Sequence, residues 1–113
     1  MITVEKLQAF GANTDEGLAR CMKNEGLYLR LVGTVPEEKS FDALKAAIEE
    51  NDLGKAFEAA HALKGVLGNL SLTSIYDPVA EITEQLRART EMDYTAEVDK
   101  ILSKRDELKK LCE

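Results

Sequence analysis

Phe57-Glu58-Ala59-Ala60-His61-Ala62-Leu63-Lys64-Gly65-Val66-Leu67-Gly68-Asn69-Leu70 holds the only histidine of the chain, and its periodicity decides the fold. On a helix at about 100° per residue counted from Leu53, Ala56, Ala60, Leu63, Leu67 and Leu70 fall in one arc centred near ~320°. Apolar residues at that spacing need a core on one side only, which predicts an amphipathic helix over about 53–70. His61 falls near ~80°, about 120° from the centre of the arc, so its ring projects sideways or outward. Gly54, Gly65 and Gly68 lie within about 40° of it. Gly65 and Gly68 stand inside the helix, where each costs ~1 kcal/mol relative to alanine. Close packing of helices would explain glycines on the apolar arc, but these lie off it. Access for something large to the imidazole is the better explanation.

Outward from this helix the same period repeats. Val4, Leu7 and Phe10 suggest a short opening helix ended by Gly11. Asn13 and Glu16 resemble an N-terminal capping pair for a helix carrying Leu18, Cys21 and Met22. That helix continues or restarts through Leu27, Leu29, Leu31 and Val32, with Gly26 and Gly33 as the expected points of bending or breakage. Pro36 to Lys39 reads as a connection, and Ser40 as the cap of a helix bearing Phe41, Leu44 and Ile48. Asn51-Asp52 stops that helix and caps the next. After a joint at Ser71 to Ser74, one helix carries Val79, Ile82 and Leu86. Another, from about Asp93, carries Val98, Ile101, Leu102, Leu108 and Leu111. No run alternates long enough to make a strand. The expectation is an all-α protein, an antiparallel four-helix bundle with a short additional N-terminal helix, forming one domain over residues 1–113.

Composition removes several classes of function. Of 113 residues, 44% are apolar and 32% charged, as in a folded domain with a solvated surface. Twenty-one acidic residues against 15 basic ones give a net charge of −6. That balance opposes sequence-independent binding to nucleic acid and docking on an anionic membrane. No apolar run approaches the ~20 residues that span a bilayer. The N-terminus lacks a basic segment followed by an apolar one, so the cytoplasm is the expected compartment and Cys21 and Cys112 are expected to be reduced thiols. A start at Met1 and an end soon after the last helix suggest a free-standing chain.

Chemistry concentrates on His61. Lys64, three residues on, stands on the adjacent turn, where its ammonium can face an anion carried by the imidazole. Glu58-Ala59-Ala60-His61 has the spacing of a di-iron ligand pair, but that site needs two such motifs and the chain has one histidine. A zinc site from His61, Cys21 and Cys112 would lack any closely spaced pair of ligands. Neither a nucleophile elbow nor a glycine-rich nucleotide loop is present.

His61-Ala62-Leu63-Lys64-Gly65, preceded by Ala60 and followed by Gly68-Asn69-Leu70, resembles the signature of histidine-containing phosphotransfer (HPt) domains. The likeness extends to Gly17-Leu18-Ala19-Arg20-Cys21-Met22 with Tyr28-Leu29, to the helix from Phe41 to Asp52, and to Leu72-Thr73-Ser74-Ile75-Tyr76. The resemblance implies a bacterial two-component phosphorelay. His61 would exchange a phosphoryl group with an aspartate of a response-regulator receiver domain, Lys64 would sit near the phosphate, and Gly65 would let the receiver approach. Phe57, Glu58, Gly68 and Asn69 would belong to the same docking face. The chain would have no intrinsic cofactor and no ATP site of its own, since Mg²⁺ belongs to the receiver. A hybrid sensor histidine kinase is a second implied partner, and a monomer the implied state. Two departures stand out. Ser71 occupies a position where many members carry glycine, and Asp77-Pro78 either starts a helix or interrupts one begun at Thr73. The rival reading is a helical adaptor that binds a receiver or kinase without carrying phosphate, and such an adaptor has no need of His61 and Lys64 together.

Overall fold

Helix-starting and helix-stopping residues divide the chain into seven α-helices in a computed structural model that describes all 113 residues, Met1–Glu113. They are α1 (Val4–Phe10), α2 (Thr14–Arg20), α3 (Glu25–Thr34), α4 (Lys39–Glu49), α5 (Leu53–Asn69), α6 (Thr73–Arg87) and α7 (Thr95–Cys112), with a 3₁₀ turn at Val35–Glu37. Short polar side chains start most of them by accepting a backbone N–H that has no partner inside the helix. Thr3 accepts from Lys6 at 3.1 Å, Asn13 from Glu16 at 3.2 Å, Asn24 from Leu27 at 3.0 Å and Asp52 from Lys55 at 3.0 Å. Asn13 and Asp52 are thus the caps the sequence pattern indicated, and Gly11, at φ 107°, ends α1.

Two boundaries differ from the expectation. The chain breaks between α2 and α3 at Met22 and Lys23, which adopt left-handed φ values of 58° and 60°, while Gly26 and Gly33 lie inside α3. The stop comes from the backbone: Met22 N–H donates to the Ala19 carbonyl at 3.2 Å and Lys23 N–H to that of Leu18 at 2.7 Å, which uses up carbonyls left open at the helix end. At α4, Glu38 takes the role expected of Ser40; its carboxylate accepts from the Ser40 N–H at 3.4 Å and from its hydroxyl at 3.1 Å. Farther on, α6 begins at Thr73 and runs through Pro78, so Asp77 is no cap.

The bundle proper is α4 to α7. Helix α4 packs on α5, α5 on α6, α6 on α7, and α7 returns to α4. Short connections make sequential neighbours antiparallel. Phe41 and Leu44 from α4, Leu63 and Leu67 from α5, Ile75, Val79, Ile82 and Leu86 from α6, and Ile101 and Leu108 from α7 are fully buried between them. All five residues of the apolar arc on α5 are buried, as the period required. Cys21 is buried, Cys112 partly buried, and neither is in a disulfide.

Three short helices precede the bundle, and hydrogen bonds fasten them to the joint between α5 and α6. Tyr28 Oη donates to the Leu70 carbonyl at 2.9 Å, and Asn13 N–H donates to that of Ser71 at 2.9 Å. From the other side of the joint, Ser74 gives its N–H to the Gly11 carbonyl at 3.1 Å and its hydroxyl to that of Phe10 at 2.7 Å. Gly17 is required by this arrangement, because a Cβ there would come within 2.5 Å of the Tyr28 ring.

Burial, reinforced by the nearby Cys21, pushes the Tyr28 phenol from 10.0 up to about 12. The unfolded phenol therefore ionises first, the unfolded state binds fewer protons between those two values, and stability falls as pH rises through that window. Tyr28→Phe is expected to cost about 1–2 kcal/mol at neutral pH, because it leaves the Leu70 carbonyl without its buried donor. The same variant should flatten the loss of stability across the alkaline window. Urea denaturation at neutral and alkaline pH checks both, and an alkaline slope equal to that of wild type would exclude Tyr28 as its source.

Candidate functional site

Alanine and leucine hold α5 against its neighbours on one side, and that leaves His61 exposed on the other. Its imidazole stacks on the ring of Phe57, one turn earlier, with centroids 5.7 Å apart and planes inclined by 30°. Phe57 is in turn covered by two cations from the end of α6 and the residues just after it. The guanidinium of Arg87 stands 5.0 Å and that of Arg89 5.9 Å from the ring centroid. Such contacts are worth about 0.5–1 kcal/mol each at exposed sites, enough to favour one placement of a half-buried ring. Phe57 thereby gives the imidazole a platform while leaving its outer face open.

An open cleft of about 550 Å³ runs past His61 between α5 and α6. Lys64, Gly65, Gly68 and Asn69 line it from α5, and Tyr76 and Asp77 from α6. So five residues singled out from the sequence share one cavity. Phe57 touches the site through the stack on His61, whereas Glu58 faces away, into a shallow groove against α4 beside Ala43, Ala46 and Glu50. Cys21 and Cys112 are not part of the cleft.

The two interior glycines turn out to differ. A Cβ on Gly65 would meet nothing of this chain within 4 Å, so the space beside it is open to solvent. A Cβ on Gly68 would come within 3.2 Å of the Tyr76 ring. Close packing, set aside for both residues on the helical wheel, is therefore the reason at Gly68. The wheel placed Gly68 correctly off the core arc but could not show that α6 lays an aromatic ring there.

Ser71 stands at a backbone position that suits glycine, and nothing in the structure explains the serine there. It is buried with φ 54°, just past the end of α5, where its N–H donates to the Gly68 carbonyl at 3.1 Å. The next N–H, of Leu72, donates to the Leu67 carbonyl at 3.1 Å, completing a paired helix stop. A left-handed backbone suits glycine, and a side chain there adds strain. The Ser71 hydroxyl is also buried without a hydrogen-bond partner.

Charge around the imidazole comes from α6 as well as from Lys64. Glu84 lies below the usual carboxylate range, first because Arg87 hydrogen-bonds to it at 3.0 Å and then through the charge of the same guanidinium, with smaller contributions from Lys64 and His61. Glu84 and Arg87 thus neutralise each other at the rim. Lys64, by contrast, has no carboxylate within ion-pairing distance, and Arg20, which lines the far part of the cleft, is paired with Glu16 at 3.1 Å. Sequence reasoning missed Glu16 and Arg20 as site residues. Asn13 and Glu16 were visible only as a cap, and nothing local places α2 beside α5.

Chemically the arrangement offers an accessible imidazole, a nearby free cation and an open approach over Gly65. No side chain hydrogen-bonds to His61, so there is no orienting carboxylate of the kind a hydrolytic triad uses.

An exposed histidine thus stands on the second helix of a four-helix bundle, with a lysine one turn later. A model of the Hpt domain family matches residues 34–113, and the chain belongs to that family. No curated protein and no solved structure matches the chain. Family membership places it among the phosphotransfer modules of phosphorelays, which interact with receiver domains and kinases. No helix is long and apolar enough to cross a membrane.

The two glycines give opposing expectations for stability. Gly65→Ala should raise the unfolding free energy by about 1 kcal/mol, because helix propensity improves with no steric cost. Gly68→Ala should gain distinctly less, since Tyr76 must yield. Ser71→Gly should stabilise by up to ~1 kcal/mol through relief of left-handed strain. Denaturant midpoints measured side by side test all three. Equal gains from the two alanine variants would mean that Tyr76 does not constrain Gly68.

Proposed function

We propose that this chain is a histidine phosphocarrier: His61 accepts a phosphoryl group from the aspartyl phosphate of a receiver domain and passes it to the aspartate of another. The imidazole nitrogen attacks phosphorus, the N–P bond forms as the acyl-phosphate P–O bond breaks, and the aspartate leaves as carboxylate. The reverse transfer follows the same path. What carries the reading is the position of His61, exposed on α5 of an Hpt-family bundle with the unpaired Lys64 on the next turn.

Each residue has a physical task in this reading. Phe57 supports the imidazole by stacking, so the ring presents its nitrogens to solvent. Lys64 offsets part of the roughly two negative charges that a phosphoryl group brings. Gly65 leaves room for the receiver backbone, and Asn69 extends the contact along the cleft. Mg²⁺ and the acidic residues that assist transfer are supplied by the receiver, so the chain contributes position and charge and needs no nucleotide. The setting of this reading is cytoplasmic, with the chain acting as a monomer.

Transfer from a panel of phosphorylated receiver domains tests it, with wild type, His61→Gln and Lys64→Ala compared. Wild type should acquire acid-labile, alkali-stable label, and His61→Gln should acquire none while keeping its helical spectrum. Lys64→Ala should retain the label but receive it roughly ten-fold more slowly, as expected for loss of one charge-stabilising donor at an exposed site. Label on His61→Gln would assign the phosphate to another residue. Binding of a receiver without label on wild type would support the adaptor reading instead.

A further inference from the structure

Residues 1–33 lie outside the family match, yet α2, within them, forms part of the cleft wall through Glu16 and Arg20. We propose that this ion pair is a specificity-determining element of the docking face, which reads a receiver domain presenting a carboxylate opposite Arg20. The proposal rests on the carrier reading for its partner class and adds the surface that selects among such partners.

The backbone of α2 is held firmly. Asn13, its cap, donates its N–H to the Ser71 carbonyl at 2.9 Å, which ties the start of the helix to the end of α5. Thr14 is buried and accepts from Gln8 Nε2 at 3.0 Å. Gly17 lies against the Tyr28 ring, and Tyr28 is itself bonded to Leu70. The position of α2 is therefore set by the same joint that shapes the cleft beside His61.

The charged side chains of the pair are held only at the surface: Glu16 accepts from Asn13 Nδ2 at 3.2 Å through Oε2 and pairs with Arg20 at 3.1 Å through Oε1. Glu16 and Arg20 are each about half exposed, at 49% and 51%. A pair this exposed contributes little to stability, so its partners can be exchanged at small cost. Only Glu16 Oε1 engages Arg20, at 3.4 Å from Nε and 3.1 Å from Nη2, which leaves Nη1 without a hydrogen-bond partner in this chain. A guanidinium with a free edge fits a second carboxylate in a planar fork, a geometry an ammonium cannot offer. Glu16 adds the opposing half of the recognition: it repels a partner whose acidic group is displaced toward it. A receiver seated on His61 and extending along Gly68 and Asn69 reaches this pair, because all of them line one continuous cavity.

The test reverses the pair while keeping it a pair. Glu16→Arg combined with Arg20→Glu preserves the i, i+4 attraction, and circular dichroism verifies the helix content. Wild type and the swapped chain are titrated with each receiver of a panel at low and physiological salt. Both are also labelled with phosphoramidate, a small phosphoryl donor with no docking face. The swap should weaken the tightest wild-type complex by about tenfold or more, most at low salt, and change the order of preference among receivers. Phosphoramidate labelling should be unchanged. Affinities within about twofold of wild type for every receiver would overturn the proposal, as would absence of any wild-type complex. If phosphoramidate fails to label wild type, the carrier reading fails, and the binding comparison still decides the role of α2. Should the swapped chain lose helicity, Arg20→Gln replaces it, with an expected weakening of about three- to fivefold and the same twofold criterion.

Discussion

The joint from Leu70 to Leu72 is where this structure is most constrained. In three residues the backbone must stop α5, reverse direction, start α6 and accept the N-terminal segment. Its main chain does so with paired polar groups: Ser71 N–H and Leu72 N–H close the end of α5, the Leu70 and Ser71 carbonyls accept from Tyr28 and Asn13, and the Leu72 carbonyl accepts from Tyr76 N–H at 2.8 Å to start α6. Buried carbonyls need such partners, since leaving one unpaired costs about 1–3 kcal/mol. Without Tyr28 and Asn13, the Leu70 and Ser71 carbonyls would lose these donors, and Ser71 itself lines the cleft beside His61. The site is thus shaped from a distance, by residues that never touch the imidazole.

Exposure of His61 follows from a second constraint, the geometry of α5. This helix packs on α4 along one side and α6 along the other, so both Ala59 and Ala60 are buried next to it and only a narrow strip is left to solvent. An imidazole on that strip gains nothing from core packing. Its orientation depends on Phe57, and Phe57 depends on Arg87 and Arg89 from the α6 side. Placement of the imidazole is therefore shared between two helices, even though the signature residues all belong to one.

Much of this was legible in the chain because it is local. The apolar arc of α5, the Asp52 and Asn13 caps and the Gly11 stop each need only a few neighbouring residues to be read, and the outward direction of His61 follows from the same arc. The misplaced break between α2 and α3 has a different cause. Met22 and Lys23 take left-handed φ just past the end of α2 without being glycine. Backbone hydrogen bonds to the Ala19 and Leu18 carbonyls hold them there, so composition gave no signal, and Gly26 and Gly33 drew attention to the wrong place. Glu38 could not be told from Ser40 as a cap, because both carry an acceptor near the start of α4. The contact between Gly68 and Tyr76 and the presence of α2 in the cleft are tertiary facts with no local trace.

Charge on the cleft has a logic that the net value of −6 conceals. In the proposed carrier role, the docking face must not repel an acidic receiver site, and here Arg20 and Lys64 line the cleft with the imidazole while Arg87 and Arg89 cover its support. Two of these cations are already occupied, Arg20 by Glu16 and Arg87 by Glu84, and a third, Arg89, gives one nitrogen to the Leu86 carbonyl at 2.7 Å. Lys64 alone is uncommitted. In the proposed carrier role, the ammonium would turn toward a phosphoryl group on His61 without breaking an existing contact, while Glu16 and Glu84 offset Arg20 and Arg87 farther out. Most of the acidic excess then lies on other faces, where it favours solubility and leaves the approach to His61 open.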